Sequence, residues 1–399
     1  MRAVTRPADE RERQLDLNDV AGNDGVLFVR NGVGLAGRGV ALATTVDDVG
    51  TVLRTIEHDD VTGWDEQPGV GPVAVGTVPF LPGRPGRAII PAVVMGKAAD
   101  GRCWVTTIDG AADPLPAPGS PLVTVDSYRI DAVTPVEHYL DAVRAARDAV
   151  RNGVLVKAVI AREIRVTAGR PIDRHGLLHR LKAAFGSSYR FAVGELVGAS
   201  PELLVEVDGR TVRSYPLAGT APRASDPERD AELAASLIAS TKNLVEHRAV
   251  IDMVHDTLLP WCSYLDWEPE PGVVRVANVQ HLGTRIEGQL SRPVPAVTAL
   301  VRALCPTPAL GGSPGPEALA LIAGVEGVER DDYGGAVGWM DAAGNGSWAV
   351  TIRCAQFEAD RTIARLHAGG GIVADSDPDA ELAETQDKFQ AMLAALIRP

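Results

Sequence analysis

The stretch GAVGWMDAAGNGSWAVTIRCAQFEADRTIARLHAGGG, residues 335–371, decides the fold class. Its apolar runs are short and are punctuated by AAGNG and EAD. Gly, Asn and Asp clusters between such runs are turn signals, so the segment reads as three consecutive strands. The same grammar recurs upstream. VLVKAVIAREIRV, YRFAVGEL, PELLVEVDG and RTVRSYPLAG read as successive strands, with hairpin-like turns at GASP and DG. Further back, GVLFVR, GPVAVGTVPF, RAIIPAVVMG and RCWVTTID read as short strands in a segment rich in Gly, Pro and Val.

Helical patterns are fewer and longer. TPVEHYLDAVRAARDAVRNG predicts an amphipathic helix with Thr134 as N-cap, Pro135 at the first helical position and Gly153 after its end. Residues 226–258 read as one long helix. A final helix is expected from near Ser376, with Pro378 in its first turn, almost to the end. Strands in series with few helices between them imply an α/β protein of the α+β type. It should have large, mostly antiparallel sheets and helices outside, not the alternation of a doubly wound sheet. Residues 1–15 are expected to be a flexible lead-in and 16–399 a single domain, strand-rich over 16–130 and motif-bearing over 131–399.

The net charge is −13, which argues against nucleic acid or an anionic membrane as partner. The longest apolar runs, such as GVLVKAVIA, are too short to span a bilayer, and the N-terminus lacks the apolar core of a signal peptide. The four cysteines are dispersed and form no CxxC pair, which suggests reduced thiols and a cytoplasmic location.

Candidate chemistry begins at the triple glycine, Gly369, Gly370 and Gly371. GGGIVADS lacks the Lys-Ser/Thr of a P-loop, and GGGIVA lacks the last glycine of the dinucleotide fingerprint. Two readings stay open for it: a tight turn, or a nest of N–H groups facing an anion such as a carboxylate. In the helix that follows, Glu381, Glu384 and Lys388 share a face. Alone, this pattern is most simply a solvated acidic face. STKNLVEHR, however, places Asn243 and Glu246 at the same i, i+3 spacing on another helix. Two helices offering oxygens in this way suit one hard cation, and Mg2+ is held by one or two carboxylates with its other contacts to waters and an anionic substrate.

Lys157 lies in a strand flanked by apolar residues on both faces. Desolvation lowers a lysine pKa and makes a buried one a candidate base, whereas an edge lysine would simply reach water. Glu202, after Pro201, is a candidate acid if apolar neighbours raise its pKa, or else a strand-end surface acid. Arg353, in the apolar strand WAVTIRCA, needs an anionic partner if buried, and its fork suits a carboxylate. Gly219 and Thr220 offer an N–H and a hydroxyl to the same task. His281 suits either the core or a substrate.

Taken in order, VLVKAVIAR, GASPELLVEV, LAGTAPR, STKNLVEHRAVIDMV, VQHLGTRIEG, PTPALGGSP, YGGAVGWMDAAGNGSWAVTIRCA and AGGGIVADSDPDAELAETQDKF resemble the chorismate-utilising enzymes over roughly residues 135–397. That family comprises isochorismate, salicylate, anthranilate and aminodeoxychorismate synthases. The resemblance implies two large stacked antiparallel sheets with outer helices and a site in a cleft. It implies Lys157 as the base that activates water and Glu202 as the acid that protonates the departing ring hydroxyl. Glu246 and Glu384 fall on Mg2+ ligands, with Glu381 and Asn243 nearby. Gly219, Thr220, His281, Leu310, Tyr333, Arg353, Gly369, Gly370, Gly371 and Lys388 fall on substrate-contacting positions.

The lysine base points to water rather than ammonia as nucleophile, so no glutaminase subunit is expected. Leu310 in PTPALGGSP favours an isochorismate synthase over a salicylate synthase. A monomer acting on chorismate is expected. A non-catalytic chorismate-binding protein would lack the base, the acid or a metal ligand, and all are present. The departure from the family pattern is Cys305, where relatives carry histidine before Pro-Thr-Pro.

Overall fold

The computed structural model describes residues 1–111, 125, 127–276 and 279–397, apart from the side chain of Lys242. It contains a 13-stranded sheet, a 9-stranded sheet and a separate 3-stranded sheet. Nearly all of the pairing is antiparallel, and Arg2–Pro7 runs parallel to Glu57–Asp60. The two large sheets stack face to face. Phe28, Leu35, Tyr189 and Phe191 of the larger sheet share one apolar cluster with Val75, Val337, Trp339 and Ala349 of the smaller. This is the expected fold class, and burial of one face of each sheet against the other is what drives it.

The central ribbon of the larger sheet is Lys157–Ala168, paired along almost its whole length with Ile363–Ile372. Helices Val136–Arg151 and Pro378–Ile397 pack against these two strands from outside. Their apolar residues enter the core, Tyr139 and Val143 from the first helix and Phe389, Met392 and Leu396 from the second. The 3-stranded sheet holds Leu217–Pro222, Gly272–Val276 and Val279–Gly283, with helix Thr241–Leu258 lying on its first strand.

Several sequence expectations need correction. Residues 1–15 are no lead-in. Arg2–Pro7 pairs with Cys103–Ile108 inside the larger sheet, and Asp9 and Glu12 form a reciprocal cap on helix Glu10–Gln14. Residues 226–258 form two helices, Pro227–Ala239 and Thr241–Leu258. They break at Ser240, whose extended backbone (ψ 108°) ends the first and whose Oγ accepts from Asn243 N to cap the second. The first outer helix begins at Val136 with Pro135 at the cap. Thr134 Oγ1 instead accepts the Glu163 N–H at 3.0 Å. YRFAVGEL turns back on itself at Gly194 (φ 55°), forming a hairpin of Tyr189–Val193 and Leu196–Ser200, so GASP lies at a strand end and is not a hairpin turn. RAIIPAVVMG splits at Pro91 into strands belonging to different sheets.

The opening stretch contains four strands: Ala336–Asp341, Gly346–Val350, Cys354–Phe357 and Ile363–Ile372. The first two belong to the smaller sheet and the last two to the larger, so the chain changes sheet at residues 351–353. A second change lies beside it. Leu196–Ser200 is in the larger sheet and Leu203–Asp208 in the smaller, joined by Pro201 and Glu202. The two links are bonded to each other: Ala199 N donates to Arg353 O at 3.0 Å and Val350 N to Glu202 O at 3.1 Å. Glu202 and Arg353 therefore sit between the sheets at a shared crossing. Arg353 is not a strand residue. It occupies the link with φ 51°, a left-handed conformation rare for a long side chain.

Candidate active site

A cavity of about 260 Å³ opens at this crossing. Lys157, Glu202, Gly219, Thr220, Glu246, His281, Leu310, Tyr333, Arg353, Gly369, Gly371, Glu381, Glu384 and Lys388 all line it, with Asn243 beside them. Gly370 does not.

The glycines show why that strand carries no side chains. Gly369–Gly371 is the paired end of Ile363–Ile372, facing Ala161, Ile160 and Val159 in register. The tight-turn and anion-nest readings are thus replaced by a bare strand. A Cβ on Gly371 would lie 2.4 Å from Lys157 Cε and 3.0 Å from Glu246 Oε1, and one on Gly370 would lie 2.4 Å from Glu381 Oε2. Glycine is needed here for close approach of functional side chains to the backbone.

Lys157 is buried at the start of its strand, and its Nζ is 2.5 Å from Glu246 Oε1. Val159, two residues on, shares its face and also lines the cavity. Glu202 is fully enclosed at the sheet crossing. Desolvation pushes its carboxyl up to about 8, against the pull of the Leu217 N–H, Lys157 and Arg353. At neutral pH it is predominantly a neutral acid holding a proton.

Burial drives His281 down to about 3, with Arg353 and Lys388 adding to the effect. The ring is therefore neutral. Its Nδ1 is 3.1 Å from Gly219 O, which only accepts, so Nδ1 carries the proton and Nε2 presents a lone pair. Gly219 itself has φ 70°, and a Cβ there would lie 3.1 Å from Asn243 Cβ.

The Arg353 guanidinium has no hydrogen-bond or ion-pair partner among the described residues, and burial lowers its pKa. An unpaired guanidinium lining a cavity calls for an anion, and its fork matches a carboxylate. Tyr333 stacks on His367 with ring centroids 5.3 Å apart, and burial raises its hydroxyl to about 12, so it remains a donor. Cys305 does not line the cavity. Its thiol packs against the core beneath and is pushed up to about 12 by burial.

On the metal question the donor set fits a hard cation in kind. Glu246, Glu381 and Glu384 offer carboxylate oxygens and Asn243 an amide oxygen, and Gly370 lacks the Cβ that would displace Glu381. The acids are not gathered to ligating distance, because their oxygens do not all lie within 4.8 Å of one another. Each has its own present partner: Glu246 has Lys157, Glu384 has Lys388 at 2.6 Å, and Glu381 accepts from Ser376 Oγ at 2.8 Å. Burial raises Glu384, but the charge and hydrogen bond of Lys388, with Arg353 adding to them, outweigh it and hold the carboxyl below its usual range.

Sequence reasoning missed the support beneath the cavity. Buried Arg330 donates to Leu310 O at 2.8 Å and Val159 O at 2.7 Å, and it pairs with buried Glu326. Glu326 Oε1 also accepts from Ala161 N at 2.7 Å. The only signal was the i, i+4 spacing of Glu326 and Arg330 shortly before Tyr333.

The "Chorismate binding enzyme" family model matches residues 117–397. MenF of Mycobacterium tuberculosis is 42% identical over 342 residues, covering 82% of this chain and 87% of that one. The isochorismate synthase EntC of Escherichia coli K12 is 37% identical over 332 residues, covering 81% and 80%. Among solved structures, DhbC of Bacillus anthracis aligns with a TM-score of 0.81 at 31% identity, over 96% of this chain and 99% of that one. The stacked sheets, the acid-and-lysine cavity between them and a match spanning most of the sequence agree, and the chain belongs to the chorismate-binding enzyme family.

Proposed function

We propose that this protein is an isochorismate synthase, converting chorismate to isochorismate. The observation that carries this reading is a protonated, fully buried carboxyl and a buried lysine on the walls of one cavity that also holds an unpaired guanidinium. Lys157 takes a proton from the attacking water as its oxygen bonds to C2 of the ring. The two ring double bonds each move one position, and the C4–O bond breaks. Glu202 delivers its proton to the departing hydroxyl, which leaves as water, so the product has the mass of the substrate.

Arg353 and the Tyr333 hydroxyl hold one substrate carboxylate. His281 fixes the Gly219–Thr220 wall through Nδ1. Glu246 and Glu384, with Glu381 beside them, would hold Mg2+, which when bound neutralises the other substrate carboxylate.

Incubation with chorismate, in Mg2+ and in EDTA, tests the reading by chromatography and mass spectrometry. A Mg2+-dependent isomer of unchanged mass supports it. Salicylate with pyruvate would reassign the chain to the salicylate synthases, and no turnover in either condition would reduce it to a binding protein.

Two substitutions follow. Lys157→Ala is expected to cut turnover by roughly 10² to 10⁴ with substrate binding retained, since a general base of this kind contributes about that much. Wild-type turnover in that variant would refute the assignment. Gly371→Ala is expected to reduce kcat at least about tenfold, because its Cβ displaces the Lys157 amine and a small misplacement is costly. Steady-state kinetics beside a melting curve would separate this from unfolding.

A further inference from the structure

A second cluster lies outside the cavity. His175 and His179 stand one turn apart on helix Arg174–Phe185, and Asp19 faces them from the short helix Leu17–Ala21. Asp19 Oδ1 is 2.8 Å from His175 Nε2 and 2.7 Å from His179 Nε2, and the two Nε2 atoms are 3.1 Å apart. Among the described residues this is the one group of three or more such side chains with ligand atoms so gathered.

We propose that Asp19, His175 and His179 form a binding site for a divalent first-row transition ion, with Zn2+ as the reference ligand. Bonds of about 2.1 Å to one ion set ligand atoms about 3.0 Å apart at right angles and about 3.4 Å apart at the tetrahedral angle. The observed triangle, with edges of 2.7, 2.8 and 3.1 Å, is nearer the first. Two imidazoles and a carboxylate are the donor set for such ions, and not for Mg2+ or Ca2+.

Hydrogen bonding alone accounts poorly for the triangle. If both Nε2 atoms carry protons toward Asp19, neither can accept from the other, although they are 3.1 Å apart. An ion at the centre uses a lone pair from all three atoms.

The two helices are also held in place independently of the cluster. Arg174 donates to Gly194 O at 2.6 Å and also to Gly25 O, and the His175 N–H reaches Asn23 Oδ1 at 3.1 Å. Buried Arg190 donates to Asn18 Oδ1 at 2.8 Å, next to Asp19. All three ligand side chains remain partly exposed, so water completes the coordination. None of them lines the catalytic cavity, and the ion's role is to clasp residues 17–21 to helix 174–185.

Tag-free, chelator-stripped protein titrated with Zn2+ by calorimetry in excess Mg2+ tests this. The expected result is one equivalent bound, weakened more than about tenfold in His179→Ala and in Asp19→Asn, with the Mg2+-dependent turnover of both variants unchanged. At 100 times the dissociation constant, Zn2+ should raise the wild-type melting midpoint by about 3 °C and leave the variants unmoved. Co2+ should give visible d–d bands that vanish in the same variants. Zinc binding that persists in Asp19→Asn would place the ion on the thiols or the cavity and overturn the proposal, as would no binding at all. Asp19→Asn keeps the side chain's size, so the test survives if His179→Ala folds poorly.

Discussion

Glu202→Gln is expected to lower turnover by a factor of roughly 10² to 10⁴ with the fold intact, because the amide matches the acid in shape but has no proton to give. Wild-type turnover should fall as pH rises through about 8, where the enclosed carboxyl loses its proton. The same shift affects stability, with a definite sign. The folded-state pKa lies above the ordinary value of 4.5, so folding favours the protonated form. That contribution is fully present below pH 4.5 and is lost as pH rises to about 8. The Gln variant, which has nothing to ionise, should therefore melt above wild type at alkaline pH and close to it in acid. Steady-state rates and melting curves from pH 5 to about 9.5 would check both. A wild-type rate that is flat through pH 8 would remove Glu202 as the acid.

Arg330→Met is expected to be the most destabilising single change. It deletes the cation facing buried Glu326 and three further contacts: the bonds to Leu310 O and Val159 O, and the guanidinium lying 4.2 Å from the Phe80 ring centroid. Breaking a buried pair from one side costs about 3–5 kcal/mol, because the remaining charge is stranded. For a chain of this length that is a drop of roughly 4–6 °C in melting midpoint. Activity should fall as well, since Leu310 and Val159 line the cavity. The double variant Arg330→Met, Glu326→Gln should recover part of the loss. If it melted no higher than the single variant, the stranded charge would not be the cause.

The fold class was legible because strands in series announce themselves by short apolar runs and turn residues. The candidate site residues were legible as separate motifs, and only Gly370 among them lies outside the cavity lining. Where the chain changes sheet was not legible. WAVTIRCA looks like one continuous apolar strand, and nothing local marks the left-handed bend at Arg353. The triple glycine looked like a loop because glycine usually signals one. Its reason lies in side chains arriving from residues 157, 246 and 381, which no local window contains. The HGLLH spacing was visible, but its third member, Asp19, is 156 residues from His175. Ser240 shows the opposite case, a capping residue in plain view inside what otherwise reads as one helix.

The paired crossing of residues 201–202 and 351–353 also bears on how the molecule comes apart. Two stacked sheets with separate edges could slide past each other or melt one at a time. Here both links are tied together by main-chain bonds, so shearing one sheet against the other would strain both crossings at once. Glu202 and Arg353 both ride on this stitch, so displacing one link pulls on the other. The two stacked sheets should therefore separate together rather than one at a time, and the cleft between them should stay in register until they do.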